Sequence, residues 1–544
     1  MRADVASGRR APGTSSGRGG DNPEAEFNRA VGLLRAGNHK KAAKIADSLA
    51  RKFSDVAAIR QLQGTIALAG GDPKKAIRAL EKGLAAAPGA APLSDLYGTA
   101  LTQTGRYDEA IDAHLKALAA QPDDPGFLNN LGNALKKAGR MEEARDAYAR
   151  SLKRRPGHPD TEINLGGALE KLGDFEGAEA AFARAIGAKP EDAGAHSGLA
   201  RALMAQNRTA EAKKAAARTL ALDPGQAEAH EVMGTCYFLE GNLDAAWEDY
   251  EWRWRDHSKV RHAVTAPRWT GEPLQGKVLL AWGEQGAGDE ILFAGMVPDL
   301  LERGATVVLE CDKRLVPLFQ RSFPDVRCRA HGADPGAAGR IDFQIPSGSL
   351  GRLLRPRLDS FPGRRSYLIA DHARRDACRK RYSRGDELVV GVAWRSINPR
   401  IGVHKSMTAV DLARLAGVPS VRLIDLQYGD TAAERLAFAD ATGTEMLHDD
   451  AVDQMADLDA FAAQVAAMDL VVSISNTTVH MAGALGVPAW VLLPTRPMWR
   501  WMADREDSPW YPSVRLFRQS KAGDWSDVIT RVRREITAFV ARRA

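Results

Sequence analysis

The chain has 544 residues, 44% of them hydrophobic and 26% charged, and its 75 Lys and Arg against 69 Asp and Glu give a formal net charge of +6. A soluble protein with two or three buried cores is expected at that length. The basic excess is modest, and its arginines in the first residues and at Arg531, Arg533, Arg534, Arg542 and Arg543 lack the interleaved aromatic platforms that nucleic acid would need, so no nucleic-acid partner is expected.

Residues 1–22, MRADVASGRRAPGTSSGRGGDN, are rich in Gly, Ser and Arg and hold no apolar run, so they read as a disordered tail without an export signal. From residue 23 to 256 a 34-residue period takes over. Ala42, Ala76, Ala110, Ala144, Ala178, Ala212 and Ala246 recur without insertion or deletion. Gly37, Gly71, Gly105, Gly139, Gly173 and Gly241, with Asn207 completing the series, suit the left-handed residue that closes a helix. Gly64, Gly98, Gly132, Gly166 and Gly234, with Ala200 in one place, fall inside the first helix of each unit, where a missing side chain would let two helix backbones approach. Pro88, Pro122, Pro156, Pro190 and Pro224 stop the second helix. Each unit is therefore helix, tight turn, helix, stop. This pattern resembles the tetratricopeptide repeat over about seven units, an α-solenoid. Such arrays expose a long groove, which implies a bound protein or peptide.

The array ends at WEDYEWRWRDH, residues 247–257, where Tyr250, Trp252 and Trp254 are expected to cap the last repeat and dock it on the next domain. Residues 257–276 read as a linker. Beyond it, VLLAW (278–282), TVVLE (306–310), LVVGVAW (388–394), VRLIDL (421–426), DLVVSI (469–474) and AWVLLP (489–494) alternate with helical segments, the pattern of parallel α/β sheets. Two domains are expected, 277–370 and 387–544, the second closing with a C-terminal helix, with 371–386 as connector. Two facing doubly wound sheets would place a cleft between the carboxyl ends of their strands. The apolar runs near 460–475 and 479–494 are too interrupted to span a membrane. Cys236, Cys311, Cys328 and Cys378 show no paired spacing for a metal or disulfide framework, and a reducing cytoplasm suits them.

Three segments carry chemistry. In AWGEQGAGDEILFAG (281–295) a strand runs into the turn of Gly283, Gly286 and Gly288 and a helix opening at Asp289, whose free amides can face an anion or a hydroxyl. Glu310 lies where a ribose-binding acid would, but no G-x-G-x-x-G register fits, because the last position is Ile291. Asp289 also fits a plain helix cap. In AWRSINPRIGVHKS (393–406), Arg395, Ser396, Arg400 and Lys405 follow a strand, a set suited to phosphate. In SISNTTVHMAGALGVP (473–488), Asn476, Thr477 and Thr478 open a helix and His480 lies in its first turn, so hydroxyls and free amides could cradle a diphosphate. A structural role for His480 fits as well.

The order EQGAGDEILF, W-R-S with a later Lys-Ser, DLVVSISNTTVHMAGALGVPAWVLLP and MWRWMADREDSPWYPSVRLFRQ resembles glycosyltransferases of the two-Rossmann-domain (GT-B) type, close to the heptosyltransferase-like family, over residues 265–520. With the repeats in front, the chain resembles bacterial protein glycosyltransferases, including those that modify flagellin in the cytoplasm. The resemblance implies Asp289 as the base that takes the acceptor proton and Lys405 as the cation on donor phosphate, with Arg395 and Ser396 beside it. It further implies Gly286, Gly288, Asn476, Thr477, Thr478 and His480 around the donor, and Gln427 on the nucleotide side. The resemblance implies a nucleotide-sugar donor, and no metal or other cofactor is expected. Ser475 departs from the family's usual Asp, which puts a heptose donor in doubt. A catalytically inert scaffold is the alternative reading, and a dinucleotide-dependent oxidoreductase a further one. Because repeats and cleft are expected on separate domains, removal of residues 23–256 is expected to abolish acceptor modification and spare donor hydrolysis.

Overall fold

A computed structural model describes residues 22–255, 262, 264–334, 339–397, 402–495 and 498–542. The expected tail, apart from Asn22, and Arg400 lie outside the described residues, as does much of the start of the expected linker.

Among the described residues, seven helix pairs follow the 34-residue period. They are α1 (Pro23–Arg35) and α2 (His39–Lys52), α3 (Ala57–Ala69) and α4 (Pro73–Ala86), α5 (Ala91–Gln103) and α6 (Tyr107–Ala120), and α7 (Pro125–Lys137) and α8 (Met141–Arg154). The rest are α9 (Pro159–Leu172) and α10 (Phe175–Ala188), α11 (Ala193–Ala205) and α12 (Thr209–Leu222), and α13 (Ala227–Glu240) and α14 (Leu243–Tyr250). All seven periodic alanines are 0% exposed. The six turn glycines hold φ between +73° and +82°, and Asn207, with φ +62°, takes the same conformation in the sixth pair.

The inner glycines have a different cause from the one expected. A Cβ on Gly64 would lie 2.5 Å from Leu80, on Gly98 2.7 Å from His114, on Gly132 2.5 Å from Tyr148, and on Gly166 2.8 Å from Phe182. Each glycine is thus a slot for the side chain sixteen positions later. Where Ala200 replaces glycine, the residue at that offset is Ala216, and both are fully buried in one cluster. At Gly234 the neighbours include backbone, Ala246 O at 3.3 Å and Tyr250 N at 3.4 Å, as first expected.

Packing divides the chain into two units, residues 1–198 and 199–544. The first unit holds the first five helix pairs, and its interior includes a polar station where buried His114 meets Asp95 at 2.8 Å and Asn130 donates to the same carboxylate at 2.9 Å.

The second unit contains two parallel sheets. In the first, β1 (Val278–Trp282), β2 (Thr306–Cys311), β3 (Arg327–Ala330) and β4 (Phe343–Pro346) lie in the order β3-β2-β1-β4. Helices α15 (Ala287–Ala294), α16 (Val297–Glu302), α17 (Val316–Ser322) and α18 (Leu350–Leu354) accompany it, and α19 (His372–Tyr382) leads onward. In the second sheet, β5 (Leu388–Ala393), β6 (Val421–Asp425), β7 (Leu470–Ile474), β8 (Ala489–Leu493) and β9 (Val514–Arg518) take the order β6-β5-β7-β8-β9. Its helices are α20 (Gly402–Lys405), α21 (Ala432–Thr442), α22 (Leu458–Ala466), α23 (Thr477–Leu485) and α24 (Ser526–Ala541). Strands β5, β7 and β8 are buried at every residue, which is why they read as nearly continuous apolar runs, Ser473 of β7 excepted. The fold is a helical solenoid followed by α/β sheets. Strand order reverses between β1 and β4 and between β5 and β7, and in such sheets a crevice opens at the carboxyl ends of those strands.

Much of the expected linker is sheet edge. Gln344 donates to Pro267 O at 2.9 Å and Trp269 donates to Gln344 O at 3.0 Å, so this stretch runs beside β4, with Trp269 and Leu274 buried. The expected connector is largely α19, capped by Asp371 and burying Cys378 and Tyr382.

The last repeat is built into the second unit, so the packing boundary falls at residues 198 and 199 rather than at 256. The Trp247 indole donates to Arg355 O at 2.8 Å, and a Cβ on Gly351 would lie 2.2 Å from that ring. Phe238, Trp247, Tyr250 and Trp499 form an aromatic cluster with centroid separations of 4.6 to 6.1 Å. Of the three aromatics expected to dock, Tyr250 and Trp254 do so, the latter on Trp282 of β1 at 5.5 Å, while Trp252 stacks back on His230 at 3.6 Å. No helix among the described residues is long and apolar enough to cross a membrane.

Candidate functional site

The loop after β1 enters α15 through Gly286, the N-cap, which makes no side-chain cap bond. Asp289 is therefore not the cap but the third helical residue. It pairs with the guanidinium of Arg500. A Cβ on Gly286 would meet nothing within 4 Å, whereas on Gly288 it would lie 3.2 Å from Cδ2 of His480 and 3.4 Å from Oγ1 of Thr477. Gly288 thus lets α15 lie closely against α23, bringing the end of the first sheet to the end of the second.

From β5 the chain leaves through Trp394, Arg395 and Ser396. Buried Gln427, after β6, accepts the peptide N–H groups of Trp394 at 3.0 Å and Arg395 at 2.8 Å, so it braces the end of β5. The Arg395 guanidinium bonds Glu434 of α21 at 2.9 Å and donates to Asp430 O at 2.9 Å. Neither side chain joins Asp289 in this structure. Ser396 donates its N–H to the Ser406 hydroxyl at 2.9 Å, tying the loop to α20. Lys405, the last residue of α20, is buried and donates to Ser475 O at 2.7 Å. Burial lowers its pKa to about 8, the Arg500 charge acting in the same direction and Asp289 opposing.

After β7, Asn476 caps α23, its Oδ1 accepting from the Thr478 N–H at 3.0 Å and from the Ser473 hydroxyl at 3.1 Å. Asn476 Nδ2 and Thr478 Oγ1 are buried and have no hydrogen-bond partner. Nδ1 of His480 lies 3.0 Å from the Tyr511 hydroxyl, and the ring stacks on Trp501 at 5.5 Å. Burial first, then Arg500 and Lys405, hold its pKa well below the usual imidazole value, so it is neutral. The Ser475 hydroxyl, at the departure from the family pattern, accepts the Trp501 indole N–H at 2.8 Å.

The structure therefore joins Asp289, Gly288, Lys405, Asn476, Thr477, Thr478 and His480 in one region and turns Arg395 and Gln427 to bracing. Sequence reasoning passed over Arg500, Trp501 and Tyr511. All three stand in MWRWMADREDSPWYP, where an arginine between two tryptophans was the available signal.

The ends of β1 and β4 are occupied differently. Arg253, from the 3-10 turn Glu251–Arg255, bonds Glu284 at 2.6 Å, and Gln285 donates to the Tyr250 hydroxyl at 2.5 Å. Glu310, the candidate ribose acid, is buried at 2.9 Å from His262 and 2.7 Å from Arg329. Burial alone would raise its pKa, but His331 and His262, joined by the Arg329 charge, hold it at about 2. His331 in turn is raised to about 10, chiefly by Glu290. A carboxylate so engaged does not stand free for a ribose.

Models of the tetratricopeptide repeat match residues 27–92, 98–139, 129–193 and 169–236. The helix pairs are tetratricopeptide repeats. Protein FlbA of Caulobacter vibrioides is 34% identical over an alignment of 327 residues that covers 56% of this chain and 54% of that protein, so the chain spans about half the length of this curated relative. Among solved structures, PilF of Pseudomonas aeruginosa is 20% identical with a TM-score of 0.35, covering 38% of this chain and 95% of its own. The type IV pilus biogenesis factor PilW is 19% identical with a TM-score of 0.37, covering 39% and 97%. YrrB, described as a TPR protein with an unusual peptide-binding site, is 18% identical with a TM-score of 0.30, covering 34% and 96%.

Proposed function

We propose that the protein is a glycosyltransferase that needs no metal and moves a sugar from a nucleotide-activated donor to a serine or threonine hydroxyl of a protein acceptor held by its repeats. One juxtaposition carries the reading: the Asp289 carboxylate at the end of the first parallel sheet stands against Lys405 and the N-terminal turn of α23 at the end of the second. Asp289 would take the acceptor proton. Lys405 and the amides of α23 would hold the departing phosphate, the work a cation does in other enzymes. A cytoplasmic setting is supported by four unpaired thiols, Cys236, Cys311, Cys328 and Cys378. Flagellin is a candidate acceptor on the sequence resemblance.

A second reading, the inert scaffold, is favoured by the closure of this region: Arg500 already occupies Asp289, and Lys405, Asn476, Thr478 and His480 are each less than a tenth exposed. Intact mass of candidate acceptors co-expressed with the protein separates the two. The wild-type protein is expected to add one glycosyl mass per site, and D289A to lose on the order of 100-fold or more in rate, the usual worth of a general base. An acceptor that the wild-type protein leaves unmodified, or that is modified as fully with D289A and with K405A as with the wild-type protein, would leave the scaffold reading.

A further inference from the structure

Arg500 belongs to the 3-10 turn Trp499–Trp501 and is 8% exposed. One terminal nitrogen of its guanidinium is on Asp289, while Nε is buried without a hydrogen-bond partner. A buried guanidinium is costly unless its charge and its donors are matched. Here they are matched only in part. Arg500 and Lys405 bring two positive charges to a region where Asp289 supplies one negative charge and His480 is neutral. Three buried donors of this region, Nε of Arg500, Nδ2 of Asn476 and Oγ1 of Thr478, have no acceptor, and the first-turn amides of the nine-residue helix α23 open there too. Each of these unmet groups can donate, and an anion rich in acceptor oxygens would meet them.

We infer that Arg500 is an anion-binding residue that exchanges partners, holding Asp289 while no anion is bound and turning to the donor phosphate when one arrives, which releases the Asp289 carboxylate for the acceptor. In the transfer, the acceptor oxygen forms the new bond to the anomeric carbon and its proton passes to Asp289. The bond from that carbon to the phosphate oxygen breaks with its electron pair on the phosphate, where Arg500 and Lys405 lie. The naming of the anion as a donor phosphate rests on the glycosyltransferase reading, but the exchange does not.

The exchange demands opposite effects from its two members. Inorganic pyrophosphate is titrated calorimetrically into the full-length protein and its variants. D289N removes the carboxylate that the anion must displace and is expected to tighten binding about fivefold. R500A removes a charge-assisted bond and is expected to weaken it about tenfold or more, with R500K between. Binding in D289N that is unchanged or weaker, unchanged binding in R500A, or no pyrophosphate binding to the wild-type protein overturns the inference. Should R500A fail to fold by circular dichroism, D289N and R500K decide. The expected order of pyrophosphate affinities without any sugar transfer would fell the glycosyltransferase reading and keep the exchange; sugar transfer undiminished in R500A would do the reverse.

Discussion

Lys405 is held charged in a place that disfavours charge. Burial and the nearby Arg500 bring its pKa from 10.5 to about 8, with Asp289 the opposing influence. The protonated amine is the form that attracts phosphate, so affinity for pyrophosphate should be full below about pH 8 and fall as pH rises through that value. Stability moves the other way: between about pH 8 and 10.5 the unfolded chain binds more protons than the folded one, so this residue's contribution to stability rises with pH. Loss of binding near pH 9 would therefore not be a sign of unfolding at this lysine. K405R keeps its charge well past that range and should flatten the profile; a wild-type titration already flat across it would remove Lys405 from the anion site. Asp289, Lys405 and Asn476 to His480 were legible because each follows a readable strand and lies beside a point where strand order reverses. Arg395 and Gln427 follow strands equally well, but what draws them away is Glu434 and two peptide N–H groups, partners that lie more than 30 residues distant and leave no local mark.

The inner glycine of each helix pair makes an unusual mutational forecast. Glycine inside a helix ordinarily costs about 1 kcal/mol relative to alanine, so alanine should stabilise. In α7 it should not, because the new Cβ of G132A would lie 2.5 Å from the Tyr148 ring, and overpacking of that kind costs about 1–3 kcal/mol. In a Y148A background the same change should become neutral or stabilising, as the buried pair Ala200 and Ala216 in the sixth repeat suggests. Chemical denaturation of the four members of that cycle measures the coupling, and additive effects would refute the slot. The period and its turns were readable because every repeat states them again. Among the strands, β1, β2, β5, β6, β7 and β8 announced themselves as apolar runs, whereas β3 (RCRA), β4 (FQIP) and β9 (VRLFR) did not. β3 and β9 are outermost in their sheets and β4 has only the 267–269 stretch beyond it, so polar side chains are tolerated there and hydrophobicity alone does not mark them; β6, an edge strand too, is marked by its buried Leu423–Asp425 end.

On the scale of the whole molecule, the question is where the chain can be cut. Composition changes at residue 256, but Trp247 fills the slot at Gly351, Arg253 neutralises buried Glu284, and Ala503 donates to Leu239 O at 3.1 Å, all between the last repeat and the α/β region. Cutting at 256 would take Arg253 from Glu284, would uncover the apolar surface that Trp247 covers and would strip one side from Trp499, which neighbours Arg500. Full burial of one large apolar side chain is worth about 1.5–3 kcal/mol, so uncovering this cluster removes a large share of a domain's net stability of about 5–15 kcal/mol. A chain of residues 257–544 is therefore expected to aggregate or melt without a cooperative transition, and any donor hydrolysis is expected to vanish with its fold. A chain of residues 193–544, which keeps α11 whole and both final repeats, is expected to fold and melt cooperatively. Having lost the first five helix pairs, it should retain pyrophosphate binding while modifying a protein acceptor poorly. Calorimetric melts of the two fragments, with the pyrophosphate titration on whichever folds, test this directly. A stable, anion-binding 257–544 fragment would return the boundary to 256 and make the aromatic cluster around Trp247 a dispensable contact rather than part of what shapes the site.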